Sequence, residues 1–200
     1  MNTELFVTQL QKLHRNAIVQ WKQDPHIRTQ ADFLKIAEEN HAFNFQLWHA
    51  EDRARRDDMG DKFVCQAKRE IDHCNQQRNN RMEMMDEWLY QQLQPADNKE
   101  CPIHSETPGM MIDRLSILAL KHYHMALQAN RPEVDEEHRQ RCQLKLHVIE
   151  LQQNQLYLCL RELLQHIIDK QRTYKIYHQF KMYNDPSLNP ELYNPEKSKP

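Results

Sequence analysis

The stretch HSETPGMMIDRLSILALK, residues 104–121, is the most apolar run of a very polar chain, and it still carries charge. Asp113 and Arg114 stand side by side, and Lys121 follows seven residues after Arg114. From 108 to about 129 the sequence is apolar almost all round, which predicts a helix surrounded by other helices. Charges on such a helix need partners in the protein interior, because an unpaired buried charge is costly.

The rest of the chain predicts further helices around this central one. Only 2 Gly and 9 Pro occur in 200 residues, and the Pro lie outside the long periodic segments. We therefore expect an all-α, up-down bundle of about five helices, with an extended C-terminal strap. The helical bundle domain should cover 1–180, and the Pro-rich tail, 181–200, should pack on it with a frayed end. The remaining helices are predicted at 3–21 (with Thr3 as N-cap), 30–56, 61–93 and 133–178, the last with a kink or an overhang.

Composition excludes several classes of protein. Net charge is −2, from 27 basic and 29 acidic residues, so nothing favours nucleic acid or acidic membranes as partners. No run of about 18 apolar residues could span a bilayer, and the N-terminus lacks the basic and apolar regions of a signal peptide. Five cysteines, an odd number without a Cys-x-x-Cys pair, indicate free thiols in a reducing compartment. The sequence therefore predicts a cytoplasmic protein.

The third helix has a seam of apolar residues at spacings of three and four, and Arg78 interrupts it. Asn75 and Asn79 lie within one turn of Arg78, and Arg69 and Asp72 lie close to the same face. A guanidinium in a seam is costly unless it is paired or binds an anion. Two interpretations remain open: a hydrogen-bond network that fixes helix register, or a preorganised anion or sugar site. The length of the seam also suggests a homodimer.

Candidate catalytic groups cluster in the second helix. The stretch WHAEDRARR (48–56) places His49, Glu51 and Asp52 within one turn, which could supply a general acid and base. The alternative is an amphipathic surface helix in which Glu51 pairs with Arg55. We add two further candidate carboxylates and leave any reaction unassigned; these are Asp72 and Asp113.

Metal binding is a weaker interpretation. Glu38-x-x-His41 and Glu70-x-x-His73 each match half of a di-iron pattern, but about one such match is expected by chance. Both histidines lie off the apolar stripes, so we expect them to be solvated. Glutamates on two further helices are also missing, so the sequence predicts neither a metal site nor a cofactor.

The start of the central helix offers a second anion-binding possibility. Ser105, Thr107 and Gly109 surround a helix N-terminus, where backbone N–H groups can bind phosphate. The simpler interpretation is an ordinary N-cap at Thr107 followed by Pro108.

Four motifs together resemble a bacterial domain-of-unknown-function family, DUF4254. They are FNFQLWHAEDRAR, AKREIDHCNQQRNN, SETPGMMIDRLSILALKHYHM and QFKMYNDPSLNPELY, and the resemblance extends from about residue 30 to 193. The family brings no established activity. Its genes often lie beside glycosyltransferase genes, which implies a role in envelope polysaccharide or lipopolysaccharide synthesis. Where the family pattern has Asn-Asp, this chain has Asn79-Asn80, which removes one candidate acid. The matching positions are Trp48, His49, Glu51, Asp52, Arg55, Arg69, Asp72, Asn75, Arg78, Asp113, Arg114, Lys181, Tyr183 and Asn184.

Three hypotheses about function follow. The first is binding of a phosphorylated sugar or nucleotide-sugar in a polar bundle interior, where Arg78, Arg114, Asp72, Asp113 and Glu51 should converge. The second is a non-enzymatic adaptor that docks a glycosyltransferase through the long helix and the tail. The third is a bundle metalloprotein. For the first hypothesis the expected ligand-binding residues are Arg69, Asn75, Arg78, Asn79, Arg114, Lys121, Lys181, Tyr183 and Asn184.

Overall fold

A computed structural model describes residues 1–22, 26–30, 32–180, 182 and 185–193. The protein is all-α, as predicted. Two long helical pairs, α2 with α3 and α4 with α5, pack side by side, and α1 packs across them. The elements in chain order are α1 (Thr3–Trp21), α2 (Asp32–Arg53), a short 3-10 turn (Asp57–Met59), α3 (Asp61–Leu93), β1 (Ile103–His104), α4 (Pro108–Ala129), α5 (Glu136–Ile168), β2 (Thr173–Tyr174) and α6 (Pro190–Tyr193).

The central position of α4 is confirmed. This helix contacts α1, α2, α3 and α5. Its apolar side chains join those of α1 and α5 in the main core, where Leu10, Leu115 and Leu160 are fully buried. Within the described ranges, no helix combines the length and the apolar character needed to cross a bilayer.

Two predicted helix ends are wrong. The N-cap of α1 is Asn2 instead of Thr3, because the Asn2 side chain accepts a hydrogen bond from the Leu5 N–H at 2.9 Å. The fifth helix ends at Ile168, ten residues before the predicted end at 178. Lys170 then adopts a left-handed backbone conformation with φ 60°, which turns the chain out of the helix.

The segment after α5, residues 169–180, was predicted as helix to 178 and instead returns along α3; we call it the strap, and the predicted packing of 181–200 on the bundle stays a prediction. Thr173 and Tyr174 pair in parallel with β1. The Tyr174 hydroxyl donates to the Asp86 carbonyl at 2.9 Å, and the Gln179 N–H donates to Glu83 Oε1 at 2.8 Å. These bonds fix the strap to α3 as far as the described residues reach.

The start of α4 is a capped helix end, and the group that accepts its hydrogen bonds is the Asp86 carboxyl of α3. Thr107 donates to Asp86 Oδ2 at 2.5 Å, and the Gly109 N–H donates to Asp86 Oδ1 at 2.7 Å. A Cβ on Gly109 would lie 2.6 Å from the Met82 carbonyl oxygen, so only glycine allows α3 to approach this closely. Asp86 thus occupies the place where a ligand phosphate would bind.

Asp86 should make the stability depend on pH. Burial raises the pKa of this carboxyl to about 6, against hydrogen bonds from Thr107 and Gly109 that lower it. The folded protein then holds a proton that the unfolded chain releases, so this contribution to stability is lost as pH rises from about 4 through 6. Relative to Asp86→Asn, the wild-type free energy of unfolding should fall by about 2–3 kcal/mol between pH 4 and 7, measured by urea denaturation. A difference that stays constant over this range would contradict the assignment.

Candidate functional site

A pocket of about 390 Å³ opens between α2, α3 and α4. It gathers several of the sequence-predicted polar residues, and six of its ten lining residues are polar or charged. The size falls in the usual range of small-molecule sites, about 300–1,000 Å³. The lining side chains are Asn44, Leu47, Trp48, Glu51, Asp52, Arg55, Asn75, Arg78, Ile117 and Leu120.

Asp113 lies behind the pocket and faces Arg78, which is less exposed than Arg55, the other arginine of the lining. The Arg78 Nε atom lies 3.8 Å from Asp113 Oδ1, beyond hydrogen-bond distance but close enough for strong attraction. The same oxygen accepts hydrogen bonds from the Asn44 amide at 2.9 Å and the Asn40 amide at 3.1 Å. Asp113 is therefore fixed by donors on α2 and faces Arg78 on α3.

The Arg78 guanidinium is incompletely satisfied. Its Nε atom is buried and makes no hydrogen bond within the described part of the chain. About a quarter of the side chain stays exposed, at 26%, and it lines the pocket. A buried donor without a partner costs about 1–3 kcal/mol, so the described residues compensate the polar groups of Arg78 only in part.

A directional hydrogen-bond chain runs from Asp113 away from the pocket. Asn44 also donates to Ser116 Oγ at 2.9 Å, and Ser116 lies 2.7 Å from His41 Nδ1. His41 Nε2 lies 3.0 Å from the His14 carbonyl oxygen, which can only accept. Nε2 therefore carries the proton, Nδ1 accepts from Ser116, and the role of each group is fixed.

Burial keeps this chain neutral at its far end. It lowers the pKa of His41 to about 4 and, together with the charge of His41, lowers that of His14 as well. The His14 ring lies 3.4 Å, Nδ1 to hydroxyl, from Tyr157 on α5. The polar network thus links α1, α2, α4 and α5 behind the pocket.

The pocket lining includes Trp48 and a carboxylate–guanidinium pair, Glu51 with Arg55. Trp48 stacks on His124 with ring centroids 4.2 Å apart, and His49 meets His124 edge-on at 6.2 Å. Burial and the neighbouring His49 lower the pKa of His124, while Asp52 opposes them. Glu51 pairs with Arg55 at 2.9 Å, the alternative that the sequence left open for this helix.

Of the five residues predicted to converge, three lie together. Glu51 and Arg78 line the same pocket, beside Asp52 and Asn75, and Asp113 lies directly behind it. Whether any of them is catalytic or binds a ligand stays a prediction.

The prediction that Arg114 and Asp72 lie with the others in the bundle interior is wrong. Asp72 is exposed on α3, and the Arg114 side chain is 58% exposed and pairs with Glu106 at 2.6 Å. One residue along a helix is a rotation of about 100°, so Asp113 and its neighbour Arg114 face opposite environments.

Other predicted ligand residues also lie elsewhere. Arg69 and Lys121 are exposed, and Lys121 shares with Arg114 a separate groove between α4 and α5. Asn79 is buried but donates to Gln179 of the strap at 2.7 Å. Three predicted residues lie outside the described residues: Lys181, Tyr183 and Asn184.

The two Glu-x-x-His pairs do not form a metal site. His41 is fully buried in the polar chain, so its predicted solvation is wrong, and Glu38 accepts from the Thr29 N–H at 2.8 Å. Glu70 pairs with Arg53 at 2.5 Å, and His73 is exposed. Across the described ranges, no three His, Cys, Asp or Glu side chains are grouped to hold a metal ion.

Sequence reasoning missed Asn40, Asn44 and Ser116 as site residues. The signal was present for the two asparagines: Asn40 stands in the apolar line of α2, and Asn44 begins a line one turn apart that continues through Trp48 and Glu51. Polar residues in a buried line predict partners on another helix.

Asp113→Asn should destabilise the protein by about 2 kcal/mol, because it removes the charge that faces Arg78 and turns one acceptor into a donor. Asp72→Asn is the matched control, since its carboxylate is exposed and should change stability by less than about 0.5 kcal/mol. Chemical denaturation of both variants at neutral pH measures the difference. Equal, small effects would show that the Asp113 network does not stabilise the fold.

A family model described as a protein of unknown function, DUF4254, matches residues 34–176, well over half of the chain. No curated protein and no solved structure matches it. The matched range includes all the residues that line the pocket, together with Asp113 and Asn40 behind it.

Proposed function

Because the chain belongs to the DUF4254 family, whose function is unknown, we propose a function from the pocket itself. The pocket between α2, α3 and α4 binds a phosphorylated sugar or nucleotide-sugar, and the protein takes part in envelope polysaccharide or lipopolysaccharide synthesis in the cytoplasm. The observation that carries the binding proposal is Arg78, a cation at the pocket wall whose buried Nε has no hydrogen-bond partner in the described residues.

Arg78 is suited to an anion because its position is fixed while its charge is only partly compensated. Asp113 stands at 3.8 Å, and its Oδ1 already accepts from two asparagines. A phosphate oxygen would provide the short, charge-assisted hydrogen bonds that Asp113 does not. The planar guanidinium can also bind two oxygens of one phosphate at once.

The remaining lining suits the sugar. A sugar ring has hydroxyl groups on its edge and C–H groups on its faces, so it needs polar and apolar contacts together. Asn44, Asn75, Glu51 and Asp52 provide donors and acceptors for hydroxyl groups, while Trp48 and its neighbours provide apolar surface. Each lining residue type therefore has a partner on a phosphorylated sugar.

The volume sets a limit on the ligand. About 390 Å³ holds a sugar phosphate, whereas a nucleotide-sugar is larger and its base would extend beyond the rim. Trp48 lines the pocket and stacks on His124, so a planar base could contact the part of the Trp48 ring that the pocket leaves accessible.

A panel of sugar phosphates and nucleotide-sugars tests this proposal by thermal shift. At a ligand concentration about tenfold above its Kd, binding should stabilise the protein by about 1.4 kcal/mol, a Tm rise of about 3–5 °C. Arg78→Gln should abolish the rise, because it removes the cation. Arg114→Gln should keep it, because Arg114 lies outside the pocket and is exposed.

The unliganded Tm of each variant separates loss of binding from loss of folding. If no ligand shifts folded wild-type protein at millimolar concentration, the binding proposal is wrong. If Arg78→Gln and Arg114→Gln lose the response equally, the ligand binds through the exposed face of α4 and the pocket assignment is wrong.

An adaptor for a glycosyltransferase remains the second candidate, and the strap favours it. Phe180 is 82% exposed and Met182 is 55% exposed on a segment that hydrogen bonds hold against α3. Large apolar side chains presented on an anchored segment suit a docking contact.

Phe180→Ser should remove a glycosyltransferase that co-purifies with the tagged protein, if the strap is its docking segment. Val19→Ser is the matched control, because Val19 is similarly apolar and 54% exposed on α1. Mass spectrometry of the co-purified material measures the result. Recovery of no glycosyltransferase with the intact chain would contradict the adaptor role.

A further inference from the structure

Helix α5 carries a line of large apolar side chains on its outer face. Leu144 is the most exposed, at 70%, and the other members are each about half exposed. The line is unusual because the chain is otherwise strongly polar, with charged residues making up 28% of it. Its members, which we call the α5 stripe, are Leu144, Val148, Leu151 and Leu158.

The α5 stripe has the spacing of a helix-packing seam. Leu144, Val148 and Leu151 follow at intervals of four and three, and Leu158 comes one heptad after Leu151. Gln155 is the polar residue that continues the pattern between them. Leucine and valine at these intervals are typical of a surface that packs against another helix. The other face of α5 already provides the contacts to α1 and α4, so the stripe is a second, unused seam.

We propose that the α5 stripe binds a second copy of this chain, with the two α5 helices antiparallel about a two-fold axis at Leu151. Leu144 and Leu158 lie seven residues to either side, about 10 Å along the helix. The two-fold axis therefore places each Leu144 against Leu158 of the second copy and Leu151 against itself, which gives a self-complementary surface.

Charge at the two ends of the stripe favours the antiparallel arrangement. Arg141 lies just before Leu144 on the same face, and Glu162 lies just beyond Leu158. Antiparallel helices bring each Arg141 toward Glu162 of the second copy, whereas parallel helices bring like charges together. Arg141 already pairs with Glu137 at 2.5 Å, but this exposed pair within one helix turn is weak and easily exchanged.

This dimer replaces the one suggested by the long seam of α3. The seam of α3 packs inside the subunit, since its side chains are buried; among them are Ile71, Cys74, Met85 and Leu89. The α5 stripe also shares no residue with the lining of the pocket, so dimer formation and ligand binding involve different side chains.

Four half-exposed side chains cover less than the roughly 800 Å² per partner of a standard interface. Polar neighbours on α5 must complete the contact, and a dimer in the micromolar range is expected. The mass should therefore rise from one chain to two across a concentration series, measured by light scattering or sedimentation equilibrium.

Leu151→Glu places two like charges at the two-fold axis and should leave the protein monomeric over the same series. Leu5→Glu is the matched control, because Leu5 is 55% exposed near the start of α1, and it should dimerise like the wild type. Circular dichroism and Tm of both variants confirm that they are folded. A wild type that stays monomeric, or a dimer that persists in Leu151→Glu, would overturn the proposal.

Cysteine cross-linking tests the direction of the helices. In a background where the exposed cysteines Cys65 and Cys159 are replaced by serine, Leu144→Cys mixed with Leu158→Cys should give a disulfide-linked dimer on oxidation. Either variant alone should give none. Cross-linking of each variant with itself would show a parallel pair and overturn the antiparallel arrangement. If the stripe binds a different protein instead, the purified chain stays monomeric and no cross-link forms.

Discussion

The fold and the candidate site both depend on one carboxylate, that of Asp113. Its Oδ1 accepts from two asparagines of α2 and faces the Arg78 guanidinium of α3, so three helices meet at a single oxygen. Burying a charge costs several kcal/mol per ion, and good geometry must recover that cost. Here the amide donors recover much of it, while Arg78 is left with an unfilled donor position. Arg78 lines the pocket, so its partly compensated charge is accessible to solvent there.

Much of the architecture could be predicted, because the sequence contains residues that mark where several helices begin and end. The regular spacing of α3 and the Thr-Pro start of α4 predicted helices at about 61–93 and from 108 to about 129, in agreement with Asp61–Leu93 and Pro108–Ala129. Arg78 was identifiable for the same reason, since it breaks an otherwise apolar seam. The strap that returns along α3 was not predicted, because most of its residues were assigned to the fifth helix. Its hydrogen bonds to Glu83 and Asp86 join residues that are far apart in the chain.

The errors share a physical origin: a single helix does not show what covers its polar side. His41 lies off the apolar stripe of α2 and was expected to be solvated, yet Ser116 and the His14 carbonyl satisfy both of its nitrogens. Arg114 was expected inside because α4 is apolar almost all round. A narrow strip of even a central helix can reach solvent, and Glu106 pairs with Arg114 there. Partners on other helices decide both cases, and periodicity within one helix does not contain them.

The capped start of α4 has a consequence for how strongly salt would weaken ligand binding. Many phosphate sites use backbone N–H groups at a helix start, which are short, rigid dipoles. Here Asp86 already accepts from Thr107 and the Gly109 N–H, so those dipoles are committed to the fold. A phosphate in the neighbouring pocket would be held by side-chain charge, chiefly that of Arg78. Since part of this cation is exposed, mobile ions compete with the ligand, and affinity would fall as ionic strength rises.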